Sequence, residues 1–141
     1  VPFHMWSPDV YQGSPTSVTS FFALAPKIAG LGAIIRILYI CFGEIYEEWK
    51  SIIIFIAVAS MLLGAFAAIG QTNLKRLMAY SSISHIGYVL AALTVGNRDG
   101  VISAISYLNI YIIMMISSFA CILFFKRKNV YFENIYDLSG L

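Results

Sequence analysis

Four long apolar runs separated by short polar links divide the chain. With about 20 apolar residues needed for a helix that crosses a bilayer, the runs extend from about Thr16 to Phe42, Trp49 to Ile69, Leu74 to Val95 and Gly100 to Phe125. The links GEIYEE, GQTN and GNRD are short, so consecutive helices must be antiparallel neighbours. This pattern predicts an all-α polytopic membrane helix bundle, a single domain fragment over 1–141 with helices at about 16–42, 49–69, 74–95 and 100–125. The opening segment 1–15, VPFHMWSPDVYQGSP, holds three prolines and reads as irregular backbone or a helix end. Pro15 suits the start of the first span. The closing segment 126–141, KRKNVYFENIYDLSGL, is polar and amphipathic enough to lie at the membrane surface.

Composition agrees with the pattern. Sixty per cent of the residues are hydrophobic and 11% are charged, against about 25% charged in soluble domains. There are too few charges to cover a globular surface, so the surroundings are lipid. A net charge of +2 and scattered basic residues give no footprint for nucleic acid. Cys41 and Cys121 lack metal-ligand spacing and fall near opposite ends of the bundle, so they are expected to be unpaired, buried packing residues. No signal peptide is visible, and the chain starts with Val1; both point to a piece of a longer protein.

Charge orients the bundle. Lys75, Arg76, Lys126, Arg127 and Lys128 lie on the side of the N-terminal segment, whereas the opposite links carry only Lys50 and Arg98. Basic residues in short loops mark the cytoplasmic or matrix side. The N-terminal segment is expected there.

Candidate chemistry lies inside the spans. Lys27 follows Pro26 and lies eleven residues into the first span, roughly 16 Å deep at about 1.5 Å per residue. That is near the midplane, where an ionisable group costs at least ~2.5–3.5 kcal/mol and normally faces the protein interior or a wet cavity. Desolvation disfavours the charged form of lysine, so such a group can exchange its proton. Pro26 is expected to break the helix locally and release a carbonyl upstream. In the third span, YSSISHIGY places Ser81, Ser84, His85 and Tyr88 on one helical face. His85 also lies eleven residues into its span, counted from the same side as Lys27, so the two groups are expected at similar depth. Histidine titrates near neutrality, and the hydroxyls beside it can hold a water chain. Lys75, at the entrance of that helix, either sets topology or turns inward at the end of the path. His4 and Asp9 are expected to brace helix ends, Arg36 to snorkel, and Asn109 with Ser106 and Tyr107 to join helices. Ser60, Gly64 and Ala68 form a small-residue face for close packing. No glycine loop, metal cluster or hydrolase triad is evident, so no cofactor or metal site is expected in this chain.

The segments VPFHMWSPDVYQGSPTSVTSFFALAPK, AIGQTNLKRLMAYSSISHIGY and YDLSGL occur in this order. They resemble the subunit 2 family (subunit N in bacteria) of respiratory complex I, the proton-pumping NADH:quinone oxidoreductase. The motif helix is shared more loosely with other antiporter-like subunits and with cation/proton antiporters. The resemblance implies a larger antiporter-like fold with further helices on both sides, and places PFHMWSPDVYQG beside a broken helix. It implies that Lys27 stands at the place of a central-axis lysine, with Lys75 and His85 continuing the polar axis. NADH, FMN, iron–sulfur clusters and quinone are then expected in other subunits. The implied partners are neighbouring antiporter-like subunits and the missing part of this one. The implied location is the mitochondrial inner membrane, favoured by the Ile-, Phe-, Tyr- and Asn-rich composition, or else a bacterial plasma membrane. A mainly structural membrane module and a cation/proton antiporter subunit are the alternative readings.

Overall fold

The computed structural model describes residues 1–124, 126–127, 130–131 and 134–138, and is built almost wholly from helices. Helix α1 spans Trp6–Gly13, α2 Thr16–Arg36, α3 Tyr46–Ile69, α4 Leu74–Leu93 and α5 Arg98–Phe124. Beyond α5, Lys126–Arg127 (β1) pairs antiparallel with Val130–Tyr131 (β2), and Ile135–Leu138 forms a single tight helical turn. The rest of the tail expected at the membrane surface lies outside the described residues.

Helix boundaries follow local chemistry. Asn73 caps α4, its side chain accepting from the backbone N–H groups of Lys75 (3.0 Å) and Arg76 (3.2 Å). Asn97 does the same for Gly100 at the start of α5 (2.8 Å). Helix α2 widens into a π-helical turn over Ile37–Cys41 before the chain reverses. Aromatic residues pin this far end. Tyr39 donates to the Leu93 carbonyl (2.8 Å), Tyr46 to that of Thr94, and the Trp49 indole to that of Phe42 (2.9 Å). Amphipathic rings of this kind suit a membrane interface.

The opening segment departs from expectation. Residues 6–13 are helical, because Pro8 falls in the first turn, where its missing N–H would have had no partner. The chain then breaks at Ser14 and Pro15, both extended, and resumes as α2. The broken helix therefore lies there. Pro26, expected to break α2, does not: α2 runs unbroken through it. One lost hydrogen bond in a helix of 21 residues is carried by the bonds on either side of it.

Among the described residues, three segments are long and apolar enough to cross a membrane unaided: Thr16–Cys41, Gly43–Ile69 and Arg98–Phe124. The fourth expected span, α4, has 20 residues and thus the length, about 30 Å. It falls short in apolarity because it carries Lys75, Arg76, three serines and His85. Packing makes that tolerable. Helix α4 is touched by α1, α2, α3 and α5, so its polar side chains meet protein.

The α3–α4 contact uses the small residues foreseen on α3. A Cβ on Gly64 would lie 2.7 Å from the Ser84 nitrogen and 2.8 Å from the Tyr80 oxygen. From the other side, a Cβ on Gly87 would lie 2.9 Å from the Ala57 oxygen. Cys41 and Cys121, expected to be buried, are instead exposed and unpaired. In lipid a thiol on the outer surface is as well placed as one in the core, so burial does not follow from apolarity.

Apolar packing falls into two clusters. One holds Tyr11, Ala23, Ala79, Met115 and Phe119 near the N-terminal side; the other holds Leu31, Ala57, Val89, Leu93 and Ala104 near the far side. Between them, on α2, α4 and α5, lie Lys27, Ser82, His85 and Tyr107. A polar layer thus crosses the middle of the bundle.

The antiparallel order gives a direct test of topology. In a background without Cys41 and Cys121, cysteines placed at Arg76 and Arg127 should react with an impermeant maleimide from one side of the membrane. Those placed at Glu47 and Asn97 should react from the other. Labelling of all four from one side would refute the order of spans.

Candidate functional site

Lys27 is half-buried on α2, between the buried residues Ala23 and Leu31. Its Nζ donates to the Tyr11 hydroxyl at 2.7 Å and to the Ser82 hydroxyl at 2.5 Å. It also lies 5.1 Å from the centre of the Tyr11 ring. No carboxylate among the described residues forms an ion pair with it. Hydrogen bonds to a charged group contribute about 1.5–3 kcal/mol each. Two of them are of the size needed to offset the ~2.5–3.5 kcal/mol cost of a charge at this depth. Lys27 also lines a cavity of about 570 Å³, with Pro26, Tyr11, Ser7, Ser60 and Ser82 among its other walls.

The seat is neutral, and that matters chemically. An ammonium group only donates hydrogen bonds, whereas a hydroxyl both donates and accepts. Ser82 and Tyr11 accept from the ammonium form, and either can turn its proton toward a neutral amine. Both protonation states of Lys27 are accommodated without moving a carboxylate.

His85 lies one turn further along α4. Its Nδ1 is 2.7 Å from the Tyr107 hydroxyl on α5. Its ring packs against those of Tyr111, Tyr107 and Tyr88, with centroids 5.3, 6.0 and 6.3 Å away. The expected face is found as expected: Ser81, Ser84, His85 and Tyr88 together line a second cavity of about 460 Å³ against α3. Depth also matches. Lys27 meets α4 at Ser82, three residues before His85, or about 4.5 Å along the axis. The two groups do not bond each other, however. At 100° per residue Ser82 stands about 60° around the helix from His85, and each lines a different cavity.

Lys75 turns inward. It is 4% exposed, and its Nζ donates to the Ser14 carbonyl at 3.1 Å, at the break between α1 and α2. Thr19 donates to the carbonyls of Tyr11 and Ser14 in the same junction, at 3.3 Å each. A cation suits the C-terminal end of α1, where helix carbonyls lack partners. Arg76 faces outward and pairs with Asp9 at 2.7 Å while also bonding Gln12 and Gln71. Asp9 thus braces α1 against α4 as expected.

Two of the residues expected to join helices do not. Asn109 and Ser106 are exposed on α5, and Tyr107 alone makes the cross-helix bond. Ser82, Tyr11 and Tyr111 were not singled out by sequence reasoning. The adjacent serines in YSSISH were the available signal for Ser82; for the tyrosines there was none. Tyr111 is 3% exposed, and its hydroxyl has no hydrogen-bond partner among the described residues. A buried, unsatisfied hydroxyl costs about 1–3 kcal/mol.

Comparison with known proteins agrees with the pattern of membrane helices. The family model described as "NADH:quinone oxidoreductase/Mrp antiporter, TM" matches residues 1–141. NADH-quinone oxidoreductase subunit N of Pelagibacter ubique is 57% identical over 141 residues, covering 100% of this chain and 30% of that protein. The subunit N of Parvibaculum lavamentivorans is 57% identical with 29% of its length covered, and that of Rhizobium meliloti 54% with 30%. The chain therefore spans under a third of the length of these relatives. With a match along its whole length, this multi-pass membrane chain belongs to the transmembrane family shared by NADH:quinone oxidoreductases and Mrp antiporters.

Proposed function

We propose that this chain is part of a proton-translocating membrane subunit of an NADH:quinone oxidoreductase, with Lys27 as a proton-exchanging group at mid-membrane. The observation that carries the reading is the seat of Lys27: two neutral hydroxyls, a cavity beside it and no ion-pair partner among the described residues. A lysine held only for its charge would be better served by a carboxylate. One held by hydroxyls can release its proton when a neighbouring charge changes and recover it when the change reverses.

In this reading His85 receives or supplies the proton on the α3 side of α4, and Ser81, Ser84 and Tyr88 hold water there. Lys75 stands at the N-terminal side as the next cation of the axis, anchored at the α1–α2 break. Redox energy reaches the layer electrostatically from other subunits. NADH, FMN, iron–sulfur clusters and quinone belong to those subunits, and the partners here are the remaining antiporter-like helices and neighbouring membrane subunits. The relatives named above are bacterial, which favours a plasma membrane; composition favours the mitochondrial inner membrane. The family description also covers antiporters, but these relatives are oxidoreductase subunits, and that favours the redox-driven reading.

Affinity purification of this chain from mild detergent, followed by mass spectrometry of the intact particle, tests the assignment. Further antiporter-like helices and NADH-oxidising subunits are expected in the particle. A stable particle that conducts protons with this chain alone would overturn the reading.

A further inference from the structure

Lys27 and His85 lie in one layer, yet the cavities beside them share no lining residue, because α4 stands between them. A proton passing from one to the other needs a group that reaches both sides. Tyr111 on α5 meets that description. Its ring packs against His85 at 5.3 Å, and it shares one buried cluster with Tyr11, which bonds Lys27, and Ala79, whose carbonyl holds Ser82. It lines neither cavity, and its hydroxyl is buried and unpartnered among the described residues. The next residues along its face, Met115 and Phe119, are apolar. Packing alone would be met by phenylalanine at this position.

We propose that the Tyr111 hydroxyl is the proton-relaying link between the two halves of the polar layer, joining Ser82 on the Lys27 side to His85 through one water molecule. This rests on the proposed proton-exchanging role of Lys27. In the transfer, the phenol oxygen accepts a proton relayed from Lys27 by Ser82 as its own proton passes to the water and on to the imidazole. Only O–H and N–H bonds form and break, and no electron is transferred. The bond between His85 Nδ1 and Tyr107 leaves Nε2 to take part.

Tyr111→Phe, made in the full-length subunit of the assembled oxidoreductase, keeps the ring against His85 and removes the hydroxyl. Membrane vesicles should contain normal amounts of complex. NADH-driven pumping per complex should fall by about tenfold or more, and the ratio of rates in light and heavy water should rise. A change in packing alone would leave that ratio unmoved. Normal pumping with an unchanged ratio overturns the link. So does a loss explained wholly by reduced complex content. Lys27→Met measured alongside separates the two ideas. If it pumps normally, the lysine reading has failed; if it does not pump while Tyr111→Phe does, only the link has failed.

Discussion

Lys27→Arg is expected to leave the complex assembled and to abolish coupled proton transfer. Guanidinium keeps the positive charge but is effectively always protonated, so it loses the exchange while satisfying any purely electrostatic need. Its planar fork also fits poorly onto two hydroxyls placed around a single ammonium nitrogen, at 2.7 and 2.5 Å. A positioned proton-transfer group typically contributes ~10²–10⁴-fold, so pumping per complex should fall by about a hundredfold or more. Lys27→Met should give the same loss by the opposite route. It removes the charge and relieves at least ~2.5 kcal/mol of insertion cost. Ser82 stays satisfied because it still donates to the Ala79 carbonyl at 2.7 Å. Complex content on native gels and quenching of a pH-sensitive dye in vesicles are the measurements. Normal pumping by the arginine variant would reduce Lys27 to a fixed charge. Poor assembly of the methionine variant, with normal pumping per complex, would favour the structural-module reading.

Gly64→Leu should have the largest effect on assembly. Even the first carbon of a new side chain would meet the Ser84 nitrogen at 2.7 Å, the Tyr80 oxygen at 2.8 Å and the Ser84 Cβ at 2.9 Å. Two of these are backbone atoms, which cannot swing aside, so α3 and α4 must separate. Forcing extra carbon atoms into a packed contact costs about 1–3 kcal/mol, and a leucine brings several. Gly64→Ala should be a milder version of the same defect. Separation would also disturb the cavity wall that Gly64 shares with Ser81, Ser84 and His85. The control is Gly32→Ala, where no neighbour lies within 4 Å of the added carbon; alanine there should be neutral or, by up to about 1 kcal/mol of helix propensity, stabilising. Complex yield and thermal stability in detergent report both. An assembled, wild-type-like Gly64→Leu complex would show that the α3–α4 contact is looser than described.

Much of the architecture was legible in the chain. Apolar run length placed the four long helices to within a few residues, though not α1, because the cost of burying unpaired backbone groups in lipid leaves helices as the only solution for these runs. The caps by Asn73 and Asn97 at two helix starts were seen only in the structure. A lysine eleven residues into a span was singled out by the cost of a charge there, and the structure seats it on two hydroxyls. Short links made the helices antiparallel, and that sufficed to place Lys27 and His85 in one layer.

What the tertiary structure decided was which way each side chain faces. In lipid the outer surface of a helix is as apolar as its core, so periodicity does not separate inside from outside. Asn109 could therefore point outward and both cysteines could be exposed. Contacts within the polar layer depend on helix rotation and separation, which are set by close approaches such as Gly64 on Ser84 and Gly87 on Ala57. In the packed bundle Lys27 meets Ser82 and Tyr11 instead of His85, and Tyr111 packs against His85. Sequence distance along one helix specifies depth; only the packing of several helices specifies who meets whom at that depth.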